Sequence, residues 1–183
     1  MSVADSQVAA VLCHPHPQMG GSMHDMVLGA VHESLIELGV TTLRFNFRGV
    51  GASEGSYDNG DGETHDTLAA IQWLRDNSDA KRLLLAGYSF GGVMSLRVAS
   101  VARPDALLLV APAVSIAKEL SCPDIPSVEI LGDNDPFVDA TETRQWFGEQ
   151  ASVETIDADH FFFGEYDTIG QRIGLHQSVL LGS

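Results

Sequence analysis

The chain has 183 residues, of which 44% are hydrophobic and 19% are charged, so it can bury one compact core. We therefore predict a single domain over residues 1–183. The 25 acidic and 10 basic residues give a net charge of −15, which argues against nucleic-acid and anionic-membrane partners, because both need a basic patch.

Short apolar runs typical of buried strands alternate with segments of helical spacing. The predicted strands are Val8–Cys13, Thr41–Phe47, Arg82–Ala86, Ala106–Ala111, Ser127–Leu131 and Val153–Ile156. The predicted helices are Met23–Leu38, Glu63–Arg75, Phe90–Val101, Thr141–Phe147 and Glu165–Leu180. Pro123 and Pro126 make most of residues 112–126 a linker. Strands that are apolar throughout are covered on both faces, so we predict a three-layer α/β/α fold with a mainly parallel sheet of about six strands.

Ligands bind such a sheet at the loops that leave the carboxyl ends of its strands. After the third strand, the segment GYSFGG contains the motif G-x-S-x-G, formed by Gly87, Ser89 and Gly91. In this nucleophile elbow, a strained turn from strand to helix exposes a serine hydroxyl. A side chain at either glycine would collide with the neighbouring strand or helix. The motif predicts Ser89 as a nucleophile.

A serine nucleophile needs a base, and for this elbow the base follows in the chain order Ser, acid, His. Of the seven histidines, only His160 and His176 follow the elbow. His176 falls within the last predicted helix, whereas His160 comes just after the sixth strand, on the loop side of the sheet. We predict His160 as the general base.

The orienting acid should follow an earlier strand. Asp135, fixed by Pro136 after the fifth strand, is the predicted acid, and Asp133 in the same loop is the alternative. Asp139 is expected instead to cap the helix that begins near Thr141.

Two backbone N–H groups should stabilise the oxyanion that forms during acyl transfer. One is expected from Phe90, directly after the nucleophile. The other should come from the loop after the first strand, where Pro15 and Pro17 have no N–H, so that His16 is favoured and Gln18 comes next.

Two rival interpretations of these loops are weaker. His14 and His16, together with His24, could form a metal site, but no carboxylate or cysteine partner is evident, and we predict no metal site. The loop NFRGVGASEG lacks a phosphate-binding motif, because Glu54 stands where a glycine is needed. Its Arg48 is expected to form a structural ion pair.

Five loop motifs together resemble the α/β-hydrolase superfamily, most of all the small bacterial carboxylesterases of the dienelactone-hydrolase-like branch. They are CHPHPQMGG, NFRGVGASEG, GYSFGG, LGDNDPFV and DADHFFFG, which span residues 13–164. The resemblance implies ester hydrolysis through an acyl-enzyme without a cofactor, with Ser89 as nucleophile, Asp135 as acid and His160 as base.

Two departures from the family pattern qualify this resemblance. Only seven residues precede Val8, so we expect an α/β-hydrolase fold without the usual N-terminal antiparallel hairpin. The edge of the sheet that this leaves uncovered is compatible with a monomer or a homodimer. Dienelactone hydrolase itself has cysteine in the elbow, where this chain has Ser89, so dienelactone chemistry is not implied.

The short segment between Ala113 and Ser127 leaves no room for a lid domain, so we expect an open site for short, soluble esters as small-molecule substrates. Met19, Tyr88, Phe137 and Phe161 are predicted to contact the substrate. The same three catalytic residues would serve a thioesterase or an amidase, and a non-catalytic binding or scaffold protein with this fold is a further alternative.

The number of cysteines and the length of the apolar runs help to predict the cellular compartment. Cys13 and Cys122 are too few for a disulfide framework, and we find neither a signal peptide nor a run near the ~20 apolar residues that span a bilayer. We expect a reduced, soluble, cytoplasmic protein.

Overall fold

Among the residues that the computed structural model describes, which are 1, 7–117 and 120–182, six strands form one sheet. They are β1 (Val8–Cys13), β2 (Thr41–Arg44), β3 (Arg82–Tyr88), β4 (Ala106–Val110), β5 (Ser127–Gly132) and β6 (Ala151–Ile156). All neighbouring pairs are parallel, in the order β2-β1-β3-β4-β5-β6. The carboxyl ends of the six strands therefore meet at one edge of the sheet.

Helices cover both faces of this sheet, as the apolar strands predict. The helices are α1 (Met26–Glu37), α2 (Asp61–Asp76), α3 (Phe90–Ala102), α4 (Ala140–Phe147), α5 (Tyr166–Leu175) and α6 (Gln177–Leu181). Side chains of α1, α5 and α6 pack with one face of the sheet, and those of α2, α3 and α4 pack with the other. The predicted three-layer α/β/α fold with a parallel sheet is confirmed. No helix in the described ranges has the length and apolar character needed to cross a membrane.

The second strand is shorter than predicted, since it ends at Arg44 rather than at Phe47. The cause lies in the backbone of Phe47, whose N–H donates to Nε2 of His14 at 3.0 Å instead of to a neighbouring strand. The chain leaves the sheet at this point, and the buried Phe47 ring packs edge-on against His14 at a centroid distance of 4.6 Å.

The closing helix is divided into α5 and α6 at His176, which the prediction of one helix over Glu165–Leu180 missed. The His176 ring reaches Glu154 on β6, where Nε2 lies 2.8 Å from a carboxylate oxygen. The backbone there departs from helical geometry and α6 starts anew, so its Leu180 is buried against the sheet.

The connection from β4 to β5 contains one short 3-10 turn, Val114–Ile116, within the segment predicted as a linker. Residues 118 and 119 of that linker lie outside the described residues. The predicted cap of α4 is confirmed, because the Asp139 carboxylate accepts from the N–H of Glu142 at 2.7 Å.

Candidate active site

The turn from β3 to α3 holds Ser89 in a conformation that few residues other than glycine adopt, with φ of 54° and ψ of −116°. The close packing of its flanks explains the two glycines of the motif. A Cβ on Gly87 would collide with the backbone of Gly91, and a Cβ on Gly91 would collide with the carbonyl oxygens of Cys13 and His14. These contacts pin the elbow against the end of β1.

Ser89, His160 and Asp135 form one hydrogen-bonded chain. The Ser89 Oγ lies 2.9 Å from Nε2 of His160, and Nδ1 of the same ring lies 2.6 Å from Oδ2 of Asp135. The other oxygen of Asp135 accepts from the N–H groups of Phe137 at 2.8 Å and Val138 at 3.0 Å. The Asp135 side chain is fully buried and that of His160 is 10% exposed. A buried carboxylate with these partners fixes the orientation of the imidazole toward the serine.

Tyr88, one residue before the serine, fixes the other side of the histidine loop. Its hydroxyl donates to the carbonyl oxygen of His160 at 2.7 Å, and its ring lies 5.4 Å from the imidazole. Burial raises the pKa of Tyr88, and nearby carboxylates act in the same direction, so the phenol stays protonated as a donor. The strand that presents Ser89 thus also holds the loop that presents His160.

The loop after β1 lies beside the elbow and supplies backbone donors. The N–H of Gln18 donates to Nδ1 of its neighbour His16 at 3.2 Å, so it is already engaged. Within the described chain, neither the N–H of His16 nor that of Phe90 makes a hydrogen bond. The His16 and Phe90 rings lie 5.0 Å apart, and both residues line the same cavity as Ser89.

His14 connects the loops that follow β1 and β2. The ring is fully buried, its Nδ1 lies 2.6 Å from the carbonyl oxygen of Pro15, and its Nε2 accepts from the N–H of Phe47. This pattern requires the neutral tautomer with hydrogen on Nδ1. Desolvation by burial accordingly lowers the pKa of His14 to about 4. With both nitrogens engaged, His14 has no lone pair for the metal site considered above.

We expect His14→Ala to lower the free energy of unfolding by at least about 2 kcal/mol, because the buried N–H of Phe47 loses its acceptor and a cavity opens. Urea unfolding monitored by circular dichroism measures this. The folded pKa lies below the unfolded value of 6.5, so this contribution is present above pH 6.5 and is lost as the pH falls toward 4. His24→Ala, at an exposed site, is the control. Equal stability of the two variants would contradict the structural role of His14.

A cavity of about 290 Å³ opens in front of Ser89 and His160. All four predicted substrate-contacting residues, Met19, Tyr88, Phe137 and Phe161, line it. Six further residues line the cavity that the sequence did not predict as site residues, namely Pro15, Gly20, Gly21, Asp25, Ala113 and Ile116. Ile116 comes from the 3-10 turn after β4, which carried no periodic signal, and Asp25 stands directly before a helix, where its type indicates a cap rather than a site.

Arg48 stabilises the loop after β2, as predicted. Its guanidinium group binds both oxygens of Asp66 on α2 at 3.0 and 2.8 Å, and its own N–H donates to the same carboxylate at 3.0 Å. The ion pair holds the pKa of Asp66 below its usual value, against the opposing effect of burial. The guanidinium group of Arg48 is thus used in contacts within the protein, which fits a structural role.

An elbow serine facing a histidine, at the carboxyl edge of a parallel sheet covered by helices, defines the class of α/β serine hydrolases. Residues 8–122 match the family described as X-Pro dipeptidyl-peptidase (S15 family). The chain belongs to this family, and the predicted membership of the α/β-hydrolase superfamily is confirmed.

Individual relatives agree with this assignment. An uncharacterized protein from Rickettsia prowazekii is 36% identical in an alignment of 171 residues, and the match covers 84% of this chain and 71% of the relative. A solved serine hydrolase without a lid from Xanthomonas campestris has a TM-score of 0.88 and 37% identity, with 97% of this chain and 84% of that chain covered. An alpha-beta serine hydrolase homologue from Coxiella burnetii has a TM-score of 0.85 and 34% identity, with 92% and 84% covered.

Proposed function

We propose that this protein is a carboxylesterase that cleaves short, compact esters through an acyl-enzyme on Ser89. The observation that carries the proposal is the hydrogen-bonded chain from Ser89 through His160 to the buried Asp135, at the wall of a cavity. The cavity volume of about 290 Å³ lies at the small end of the range for ligand sites, which favours small acyl and alcohol groups.

The first half of the reaction forms the acyl-enzyme. The Ser89 oxygen attacks the carbonyl carbon of the ester while Nε2 of His160 takes the hydroxyl proton. The carbonyl oxygen becomes an oxyanion, for which the free N–H groups of His16 and Phe90 are the proposed donors. As the intermediate collapses, the bond to the alkoxy oxygen breaks, and the proton held by His160 passes to the departing alcohol.

The second half returns the enzyme to its starting state. A water molecule gives one proton to Nε2 of His160 as its oxygen attacks the acyl carbon, and the same N–H groups receive the second oxyanion. The bond between the acyl carbon and the Ser89 oxygen then breaks, and the serine takes the proton back. Asp135 keeps the ring in the tautomer that accepts at Nε2 throughout and stabilises the imidazolium.

Esters are favoured over peptides by the walls of the site. The described connection between β4 and β5 adds only the turn Val114–Ile116, so little of the chain projects over Ser89 to grip a polypeptide. An alcohol also leaves more readily than an amine. Because the matching family is that of the X-Pro dipeptidyl-peptidases, an X-Pro amide is the appropriate comparison substrate.

Covalent labelling tests the proposed nucleophile. We expect a fluorophosphonate to add one phosphonyl group to the native chain, on the peptide that contains Ser89, as read by mass spectrometry. Ser89→Ala should take up none. Ser100→Ala, at an exposed position on α3, the helix that begins directly after Ser89, should be labelled like the native chain. The absence of an adduct on the native chain would overturn the proposal and favour a non-catalytic role.

Turnover then tests the substrate class. p-Nitrophenyl acetate should be cleaved with a higher kcat/KM than p-nitrophenyl dodecanoate and than glycyl-prolyl-p-nitroanilide. Faster cleavage of the anilide would reassign the protein as a peptidase, and faster cleavage of the long ester would reassign it as a lipase.

A further inference from the structure

One carboxylate besides Asp135 faces the catalytic machinery. Asp25 lines the cavity, and it is the one acidic or basic side chain other than histidine among the described residues that do so. The remaining wall is mostly apolar. Since the net charge of the chain is already −15, the field at this opening attracts cations and repels anions.

Asp25 stands at the start of α1, and this position favours its ionised form. As the residue that caps this helix, it accepts from the N–H of Leu28 at 3.1 Å, and the positive end of the helix dipole favours a negative charge there. Burial raises the pKa of Asp25, whereas the backbone donors and the nearby His160 act in the opposite direction.

A fixed negative charge beside the nucleophile works against the proposed reaction, because an oxyanion develops in the same cavity. A substrate that carries its own positive charge removes this penalty. Aromatic rings also line the wall: Phe137 and Phe161 are 62% and 48% exposed, and their centroids lie 6.4 Å apart with the rings nearly perpendicular. A carboxylate combined with accessible ring faces is the environment that binds an ammonium group.

We infer that the preferred substrates are compact esters that bear an ammonium group, which Asp25 and the rings of Phe137 and Phe161 hold while the ester carbonyl meets Ser89. This inference rests on the proposed esterase function and specifies its substrate class. Asp25 determines specificity in this inference, because its carboxylate attracts the ammonium group of the bound ester.

Two esters of equal shape and different charge test the inference. Acetylcholine carries a quaternary ammonium group, and 3,3-dimethylbutyl acetate has a neutral carbon in its place. Hydrolysis is followed by pH-stat titration at low ionic strength for the native protein, Asp25→Asn and Asp139→Asn. Asparagine is as good a helix cap as aspartate, so each variant loses one charge and keeps its helix. Asp139 caps α4 in the same way and does not line the cavity, which makes it the matched control.

We expect the native protein and Asp139→Asn to cleave acetylcholine with a kcat/KM about tenfold higher than the neutral ester. In Asp25→Asn the ratio should fall to about one, through a higher KM for acetylcholine and a higher kcat for the neutral ester, whose oxyanion no longer forms beside a negative charge. A native ratio of one or below, or an unchanged ratio in Asp25→Asn, would overturn the inference. If neither ester is cleaved but p-nitrophenyl acetate is, competitive inhibition by tetramethylammonium decides: inhibition that Asp25→Asn abolishes supports the inference, and any other result overturns it. If the fluorophosphonate also fails to label the protein, the proposed esterase function itself falls.

Discussion

Asp135→Asn is expected to lower kcat for p-nitrophenyl acetate by about 10⁴-fold while leaving the fold intact. The asparagine oxygen can still accept from the N–H groups of Phe137 and Val138, so the loop keeps its backbone contacts. Its NH₂ group, however, would face Nδ1 of His160. The ring must then carry its hydrogen on Nε2, where it can no longer accept the proton of Ser89. Steady-state kinetics together with circular dichroism separate this loss from unfolding.

The matched control is Asp133→Asn, two residues earlier in the same loop. Asp133 is exposed, and the sequence alone left it as an alternative acid. We expect Asp133→Asn to retain the native kcat within about twofold, as surface substitutions away from a site usually do. A large loss in Asp133→Asn, or near-native activity in Asp135→Asn, would contradict the proposed role of Asp135.

Glu129→Gln is expected to stabilise the protein increasingly as the pH rises from 5 to 8. Glu129 lies on β5, is fully buried, and has no hydrogen-bond partner of ordinary geometry for either carboxylate oxygen within the described chain. In the sheet register it stands beside Leu109 of β4. Desolvation raises the pKa of Glu129 to about 8, and the nearby hydroxyl of Ser127 opposes this rise. The carboxyl group is therefore neutral in the folded protein at pH 7.

The sign of the pH dependence follows from the two pKa values of Glu129. The ordinary value is 4.5, so between about pH 4.5 and 8 the unfolded chain has lost a proton that the folded protein keeps. Stability falls with rising pH across this window, by up to about 1.4 kcal/mol per pH unit, and the contribution is fully favourable only below pH 4.5. Glutamine has no proton to lose, so Glu129→Gln lacks this slope.

Urea unfolding at pH 5, 6, 7 and 8 measures the difference between the native protein and Glu129→Gln. Glu33→Gln, an equivalent change at an exposed position on α1, should follow the native curve at every pH. Parallel curves for the native protein and Glu129→Gln would show that the carboxyl group of Glu129 is not held neutral by burial.

Signals carried by local sequence were sufficient to predict the architecture and the hydrogen-bonded chain at its edge. The strands are apolar at nearly every position because helices cover both faces of the sheet. This pattern can be read from the sequence without knowing which elements pack on each strand. The elbow was recognisable because its two glycines are required, since any larger side chain there would collide with the adjacent backbone. Ser89, Asp135 and His160 follow different strands, and the shared carboxyl edge of a parallel sheet makes their meeting predictable.

What escaped prediction depends on contacts between segments that are distant in the chain. The early end of β2 is decided by a hydrogen bond from Phe47 to His14, 33 residues away. The break between α5 and α6 coincides with a contact from His176 to β6. Asp25 has the residue type of an ordinary helix cap, and only the three-dimensional fold shows that it faces the cavity. Glu129 sits in an apolar strand pattern, where its unpaired state could not be foreseen.

The position of His160 late in the chain has a consequence for biosynthesis. The loop with His160 follows β6, which lies at the margin of the sheet and pairs with β5 alone among the described strands. Under the proposed mechanism, a growing chain that still lacks this loop has no base for the hydroxyl of Ser89, and we expect it not to hydrolyse esters. Under the same mechanism, activity requires β6 to pair with β5 and the loop with His160 to reach Ser89, so turnover of an ester would measure how far refolding has assembled this edge of the sheet.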